Sequence, residues 1–415
     1  MQLFETNLCL RCKGKGWCGK PCKIYSKIKD FTPKTKTHFS GNSPPEIFVG
    51  RFNYPNINAG ILSPDASNEP QTLQESNIQK LSSHEIWHKQ RLPISEILTN
   101  RSKLIYGRFQ TQIKKAKTTD KFLGVMQEVS MAYKSVSTEF FLKKAPRKNL
   151  TMQKGLPMIA NPAPLEHARL QENPKVKPKV DYLVYDTDAK SVNSMKELYD
   201  SKIPISNISK ILSAGLLGLK TQRRLVPTRW SITATDDTLS KHLTKKIKYY
   251  PEINEIQLFH SEYNGNHYEI LLLPDFFSFE VLELEMKGSL WNPHHIPEVM
   301  QDYEFFKGRK KYADNVTGAY YANKVAFCEY LEKIKKQATA IFFREVRPEY
   351  YAPLGVGILR EISREAFKTQ PEKFNTIKEA INKMQTRLKT NIEIFTNKSI
   401  LLKEHNKQRR LTQWF

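Results

Sequence analysis

Hydrophobic and polar positions change their rhythm along this chain. Beyond Val180 short apolar runs alternate with amphipathic stretches. Asp181 to Asp186 is compact and apolar enough for a strand, with helical spacing following near residues 191–200 and 206–214. Glu255 to Tyr263 and His267 to Leu273 flank Asn264-Gly265-Asn266, a hairpin signature. Ser278 to Glu285 and Ala338 to Arg344 read as further strands, Tyr320 to Lys336 as an amphipathic helix, and residues 373–403 as helical. A hairpin plus helix-connected strands predicts an α+β (mixed α/β) fold, a mixed sheet with flanking helices.

The first part of the chain is less regular. Gly41 to Pro55 is punctuated by Gly and Pro around a short apolar strand, Thr111 to Lys144 carries helical periodicity, and Ala145 to Lys179 is polar and Pro-rich, which predicts a loop or junction. The expected organisation is therefore a cysteine knuckle with a basic connector over 1–40, an N-terminal region over 41–179, a central mixed domain over 180–372, a helical region over 373–407 and a terminal peptide over 408–415. A chain of 415 residues has room for two or three such units.

Charge adds a partner class. Sixty-six Lys and Arg against forty-two Asp and Glu give a formal charge of +24, an excess that attracts polyanions, nucleic acid first. The charge is concentrated: nine cations against two acids in residues 1–40, six against one in 101–120, and five against one in 396–415. Lysine richness from biased composition, or solvated charged faces, would give part of this pattern without any partner. No apolar run approaches the roughly 18 residues of a membrane helix, and Met1 to Leu10 lacks the apolar core of a signal peptide. The expected location is cytoplasmic and associated with the nucleoid.

Four of five cysteines, Cys9, Cys12, Cys18 and Cys22, fall within fourteen residues, while Cys328 stands alone. Two short pairs separated by a Gly-rich turn bring four thiolates together, as tetrahedral structural Zn²⁺ requires. Four thiolates also build an iron–sulfur cluster. A pair of disulfides would need an oxidising compartment. Arg11, Lys13, Lys15 and Trp17 around the cluster suit phosphate contact with base stacking, although a knuckle that only ties down the chain end would carry the same cysteines.

The last eight residues place Gln408, Leu411, Trp414 and Phe415 in the order Gln-x-x-aliphatic-x-x-aromatic-aromatic. In one turn of 3₁₀ helix, residues three apart share a face, so Leu411, Trp414 and Phe415 form an apolar plug. The pattern resembles the peptide that docks DNA-processing proteins on the sliding clamp, the proliferating-cell-nuclear-antigen (PCNA) ring. The competing arrangement packs the two rings into the protein's own core.

Several segments together resemble the archaeal Nre family of DNA-repair proteins. They are Leu225 to Asp237 with Arg229 and Trp230, Ser213 to Gly218, Gly41 to Pro55, the cysteine cluster, Asp181 to Asp188, Asp302 to Glu304 with Gly308 and Arg309, Tyr312-Ala313, Gly318 to Ala322, and Arg344-Glu345. The resemblance spans close to the whole chain. It implies DNA repair, a four-cysteine zinc site and clamp binding through the terminal peptide, but carries no reaction with it. The expected function is a clamp-recruited repair protein that binds damaged or single-stranded DNA; the alternative is a clamp-tethered metal-dependent nuclease or other nucleotide-processing enzyme. An RNA- or ribosome-associated role would explain zinc and charge but not the terminal peptide.

Candidates for chemistry are carboxylates. Asp186 and Asp188, or the adjacent Asp236 and Asp237, could hold Mg²⁺ or Mn²⁺, with Arg229, Arg309 and Arg344 on phosphate and Glu280 or Glu345 as general base. The same aspartates would serve equally as turn or helix-capping residues, and Arg344-Glu345 as charged loop positions.

Overall fold

The computed structural model describes residues 36–65, 74–118, 120–146, 151–153, 155–159, 161–289, 292 and 297–405, together with residues 19, 22, 24, 26 and 28. Two compact units emerge, one formed by residues 1–239 and 352–355, the other by 240–351 and 356–415. Both are built on mixed sheets; the apolar rhythm predicts the second and not the first.

The first unit carries strands β1 His38–Ser43, β2 Ile47–Val49, β3 Asn56–Pro64, β4 Leu104–Gln112, β5 Val136–Leu142, β6 Thr151–Gln153, β7 Leu156–Ile159 and β8 Asn161–Leu170. Six of them form a sheet in the order β1-β5-β8-β4-β3-β2, antiparallel except where β4 runs parallel to β8. The stretch expected to be a junction therefore supplies a central strand. Pro162 and Pro164 sit at alternate positions, so their missing donors fall on one side of β8; there the ladder to β5 begins only at Leu165.

Helices α1 Glu75–Lys80, α2 His84–Lys89, α3 Ile94–Ser102 and α4 Lys121–Met131 complete this half of the unit. Helical periodicity over 111–144 resolves into β4's end, a 3₁₀ turn at Ile113–Lys117, α4 and β5; α4 starts where the Asp120 carboxylate accepts the backbone N–H groups of Phe122 and Leu123.

Helices α5 Pro178–Tyr185, α6 Ser191–Asp200, α7 Ile205–Ser213 and α8 Thr228–Ile247 follow. Asp181 to Tyr185 is thus helical, not a strand. Pro178 starts the helix, and the buried Val180, Leu183 and Val184 have the i, i+3, i+4 spacing of a helix face. Five or six residues rich in Val and Tyr satisfy both periods, and only the fold chooses.

The second unit holds β9 Ile256–Tyr263, β10 Asn266–Leu273, β11 Ser278–Glu285, β12 Val299–Glu304, β13 Thr339–Val346 and β14 Glu372–Phe374, in the order β12-β11-β13-β10-β9-β14. The β9–β10 hairpin turns on Asn264 (φ 48°) and Gly265 (φ 75°), the double positive φ of a type I′ turn. A side chain at 265 would also meet the Tyr350 backbone nitrogen at 2.5 Å. Every residue of β10, β11 and β13 is buried, because α9 Gly318–Ile334 and α10 Val356–Ala366 pack with aromatic residues such as Phe279 and Phe342, while α11 Ile377–Gln385, α12 Glu393–Thr396 and α13 Ile400–His405 join a separate core around Leu271, Leu282 and Phe343.

No helix among the described residues is long and apolar enough to cross a membrane.

Candidate nucleic-acid interface

Three segments far apart in sequence converge on one surface of the first unit. The loop 50–55 connects β2 to β3. Thr228 Oγ1, at the first residue of α8, accepts the Val49 backbone N–H at 2.9 Å across 179 residues. The Ile113 N–H donates to the Pro55 carbonyl at 3.1 Å, and the Leu225 N–H to the Ile113 carbonyl at 2.9 Å, so the 3₁₀ turn is stitched to both the loop and the lead-in of α8. These bonds pin the three segments together while Val49, Ile113 and Leu225 bury their side chains, and the side chains between these anchor points are left to face outward.

Those side chains are large rings and cations. Phe52, Tyr54 and Trp230 are 61%, 48% and 44% exposed, far more than a core would leave such rings. Tyr54 and Trp230 meet with centroids 5.4 Å apart, and the Arg51 guanidinium lies 5.5 Å from the Phe52 ring centre. Arg51 Nε is buried with no hydrogen-bond partner among the described residues. Lys114, Lys115 and Lys117 stand exposed on the 3₁₀ turn, and Arg229 is half-buried beside Trp230. Rings beside cations can stack bases while neutralising phosphates.

The charged candidates elsewhere have other roles. Arg344 lies in the middle of β13, buried and bonded to the Glu283 carboxylate and the Asn266 amide oxygen. Burial alone would depress its pKa; Glu283 and the Tyr268 and Tyr350 rings raise it above the ordinary value, holding the charge in place. It is a sheet residue, neither a loop cation nor an exposed phosphate contact. Arg309 spends its guanidinium on Asp302 Oδ1 at 2.9 Å and on the carbonyls of Tyr303 and Tyr312.

The aspartates also separate. Asp186 ends α5 and accepts the backbone N–H groups of Asp188 and Ala189, and hydrogen bonding from Asp188 holds its carboxyl below the usual carboxylate range. It follows a helix, not a strand. Asp236 and Asp237 lie inside α8, not at its start; Asp236 is buried, and adjacent helical residues point about 100° apart, so the two do not face one ligand from one side.

Glu280 and Glu345 serve the second unit's architecture. Glu345 accepts Arg347 Nε at 2.8 Å and the Thr390 N–H at 2.8 Å. Glu280 accepts the Ile400 N–H at 2.8 Å, the Leu401 N–H at 3.3 Å and the Ser399 hydroxyl, which caps α13. Burial pushes the Glu280 pKa up, outweighing those bonds. A carboxyl whose folded pKa is raised contributes most below its unfolded value, near 4.5, and less as pH rises to its folded value. The stability difference between wild type and Glu280→Gln is expected to shrink over that rise and then level off in urea melts. Glu280→Ala, which strands buried donors, is expected to be less stable than Glu280→Gln by about 1–3 kcal/mol at any pH.

Cys9, Cys12 and Cys18 lie outside the described residues, as do Arg11, Lys13, Lys15, Trp17 and the terminal Gln408, Leu411, Trp414 and Phe415. Cys22 is half-buried, and its carbonyl accepts the Ser26 N–H at 3.0 Å. By donor chemistry the four thiols suit Zn²⁺. Cys328 is buried in α9, where burial pushes its thiol up to about 12 and keeps it protonated.

Sequence reasoning put Arg229 forward as a phosphate contact and named Trp230 beside it, but did not single out Arg51, Phe52, Tyr54 or the lysines of the 3₁₀ turn. The charge concentration over 101–120 was the available signal.

Fold and surface together define a class, two mixed α+β units of which the first presents an aromatic and cationic face. Comparison with known proteins is more specific. The model of the archaeal Nre N-terminal region matches residues 17–292, and that of the archaeal Nre C-terminal region matches 304–414. The DNA repair protein NreB of Archaeoglobus fulgidus is 31% identical over 408 residues, covering 98% of this chain and 99% of its own. The DNA repair protein NreA of Haloferax volcanii is 34% identical over 370 residues, covering 87% and 86%, and NreA of Archaeoglobus fulgidus is 32% identical over 386, covering 92% and 93%. The chain belongs to the archaeal Nre family. No solved structure matches it.

Proposed function

We propose that this protein acts in DNA repair, recruited to the PCNA clamp by residues 408–415 and holding single-stranded or damaged DNA on the face formed by Phe52, Tyr54 and Trp230. The observation that carries the DNA reading is the convergence of these exposed rings with Arg51, Arg229, Lys114, Lys115 and Lys117. Relatives named DNA repair proteins along nearly the whole chain support the pathway. The zinc knuckle would order the basic N-terminus, with Cys9, Cys12, Cys18 and Cys22 as its ligands. A nuclease using Mg²⁺ or Mn²⁺ at Asp186 and Asp188 is the competing reading, and the same assay addresses it.

Stacking is worth about 1–3 kcal/mol per base, so Trp230→Ala is expected to weaken binding of a labelled single-stranded oligonucleotide by about 5- to 150-fold in fluorescence anisotropy. Lys114→Ala and Lys117→Ala are expected to weaken all sequences alike and to lower the salt slope by about 0.7 each. Unchanged affinity in all three variants would remove this face from DNA binding. Metal-dependent cleavage lost in Asp186→Ala would establish the enzyme instead.

A further inference from the structure

A second feature belongs wholly to the second unit. Strand β12 ends at Glu304, and the chain turns back through Phe305–Gly308, where the Gly308 N–H donates to the Phe305 carbonyl at 2.7 Å and Gly308 takes φ 83°. The loop beyond is held firmly. Arg309 bridges Asp302 and the carbonyls of Tyr303, Lys311 and Tyr312, while Asp302 Oδ2 accepts the N–H groups of Asn315 and Val316 at 3.0 and 2.7 Å. Arg309 is thus a positioning residue, and Lys307, Lys310 and Lys311 are left exposed.

This loop walls a cavity of about 710 Å³, within the range of about 300–1,000 Å³ usual for small-ligand sites. Its aromatic lining comes from both sides. Phe276 and Phe306 meet edge to face at 5.7 Å, Tyr303 and Phe305 at 5.4 Å, and Phe276, Phe305 and Phe306 are 58%, 44% and 40% exposed. The Lys248 ammonium sits 4.8 Å from the Phe306 ring centre and donates to its carbonyl, which orients that ring. The acids of the wall are already engaged: Glu304 is buried and ion-paired with Lys324 at 2.6 Å, and Asp275 accepts the Phe276 N–H at 2.8 Å and pairs with His405 at 3.1 Å. A base needs ring faces and its phosphate needs cations; an acidic peptide would use the lysines but not the rings.

We propose that this cavity holds one unstacked deoxynucleotide, its base among Phe276, Phe305 and Phe306 and its phosphate against Lys307, Lys310 and Lys311. The inference takes its ligand class from the DNA reading above but uses a separate surface.

The test titrates thymidine monophosphate, a short oligothymidylate, inorganic phosphate and a polyglutamate peptide into the full chain and into Phe276→Ala, a Lys310→Glu/Lys311→Glu variant and Trp230→Ala. Mononucleotide affinity is expected to fall about fivefold or more in Phe276→Ala, as loss of one stacking ring implies, and to be unchanged in Trp230→Ala. An oligonucleotide weakened by both sets of variants identifies a DNA strand as the source; sensitivity of the mononucleotide alone identifies a free nucleotide. If the intact chain binds no mononucleotide, and the oligonucleotide responds to Trp230→Ala but not to the cavity variants, the cavity proposal is overturned and the first-unit reading stands. If Phe276-dependent mononucleotide binding survives while the intact chain ignores the oligonucleotide, the first-unit reading fails instead. Phosphate or polyglutamate binding that matches the mononucleotide's would reduce the site to a bare anion patch and also overturn the proposal.

Discussion

Removing residues 408–415 is expected to abolish binding to a purified PCNA ring while leaving affinity for single-stranded DNA unchanged. The expectation rests on how such a peptide would bind. Leu411, Trp414 and Phe415 would enter one apolar pocket from one face of a 3₁₀ turn, and Gln408 would occupy a polar pocket beside it. Aromatic anchors of this kind dominate an interface, each losing about 2 kcal/mol or more when truncated, so Phe415→Ala alone is expected to weaken the complex by about 30-fold or more. Surface plasmon resonance on immobilised clamp reads both effects. An intact chain with no clamp affinity would contradict the recruitment reading and leave the proposed DNA face to act unaided.

The second large effect concerns stability. Arg344→Ala is expected to cost about 3–5 kcal/mol, because it leaves the buried Glu283 carboxylate and the Asn266 amide oxygen without their partner inside a fully buried part of the sheet. Replacing both members of the pair, Arg344→Met with Glu283→Leu, is expected to recover much of that loss, since similar-sized apolar side chains need no charge compensation. Trp230→Ala, at an exposed ring, is expected to change stability by no more than about 0.5 kcal/mol. Urea unfolding measures all three. A loss below about 1 kcal/mol in Arg344→Ala would mean that water or a rearranged neighbour replaces the guanidinium.

The contrast between these residues shows what a single sequence makes legible. The β9–β10 hairpin was readable because Asn264-Gly265 dictates its turn locally. Asp181 to Tyr185 was misread because a short Val- and Tyr-rich run satisfies both helix and strand periods, and β8 was missed because prolines signal a loop until the ladder they avoid is known. Arg344 and Glu345 look like solvent charges in a list of residues; only the register, which sets Glu283 opposite Arg344 and Phe343 opposite Glu269, shows that they lie inside a sheet.

The proposed DNA face follows the same logic. Arg229 and Trp230 stood out by their setting, and Gly41 to Pro55 by its punctuation, but nothing local says that the two segments meet. They meet through a hydrogen bond spanning 179 residues and the Tyr54–Trp230 ring contact, and the lysines arrive through a third segment. Cations that were readable as charge, Arg309 and Arg344, are instead consumed by internal acceptors. Exposure and partnership decide which charges are available to a ligand, and both are properties of the fold.

The most direct test of the account is photocrosslinking of a single-stranded oligonucleotide carrying 5-iododeoxyuridine to the full chain, followed by mass-spectrometric mapping of the attached residues. The account predicts crosslinks at Trp230, Tyr54 and Phe52 that fade with added salt. Efficient crosslinking confined to other parts of the chain, with none on these three rings, would contradict it.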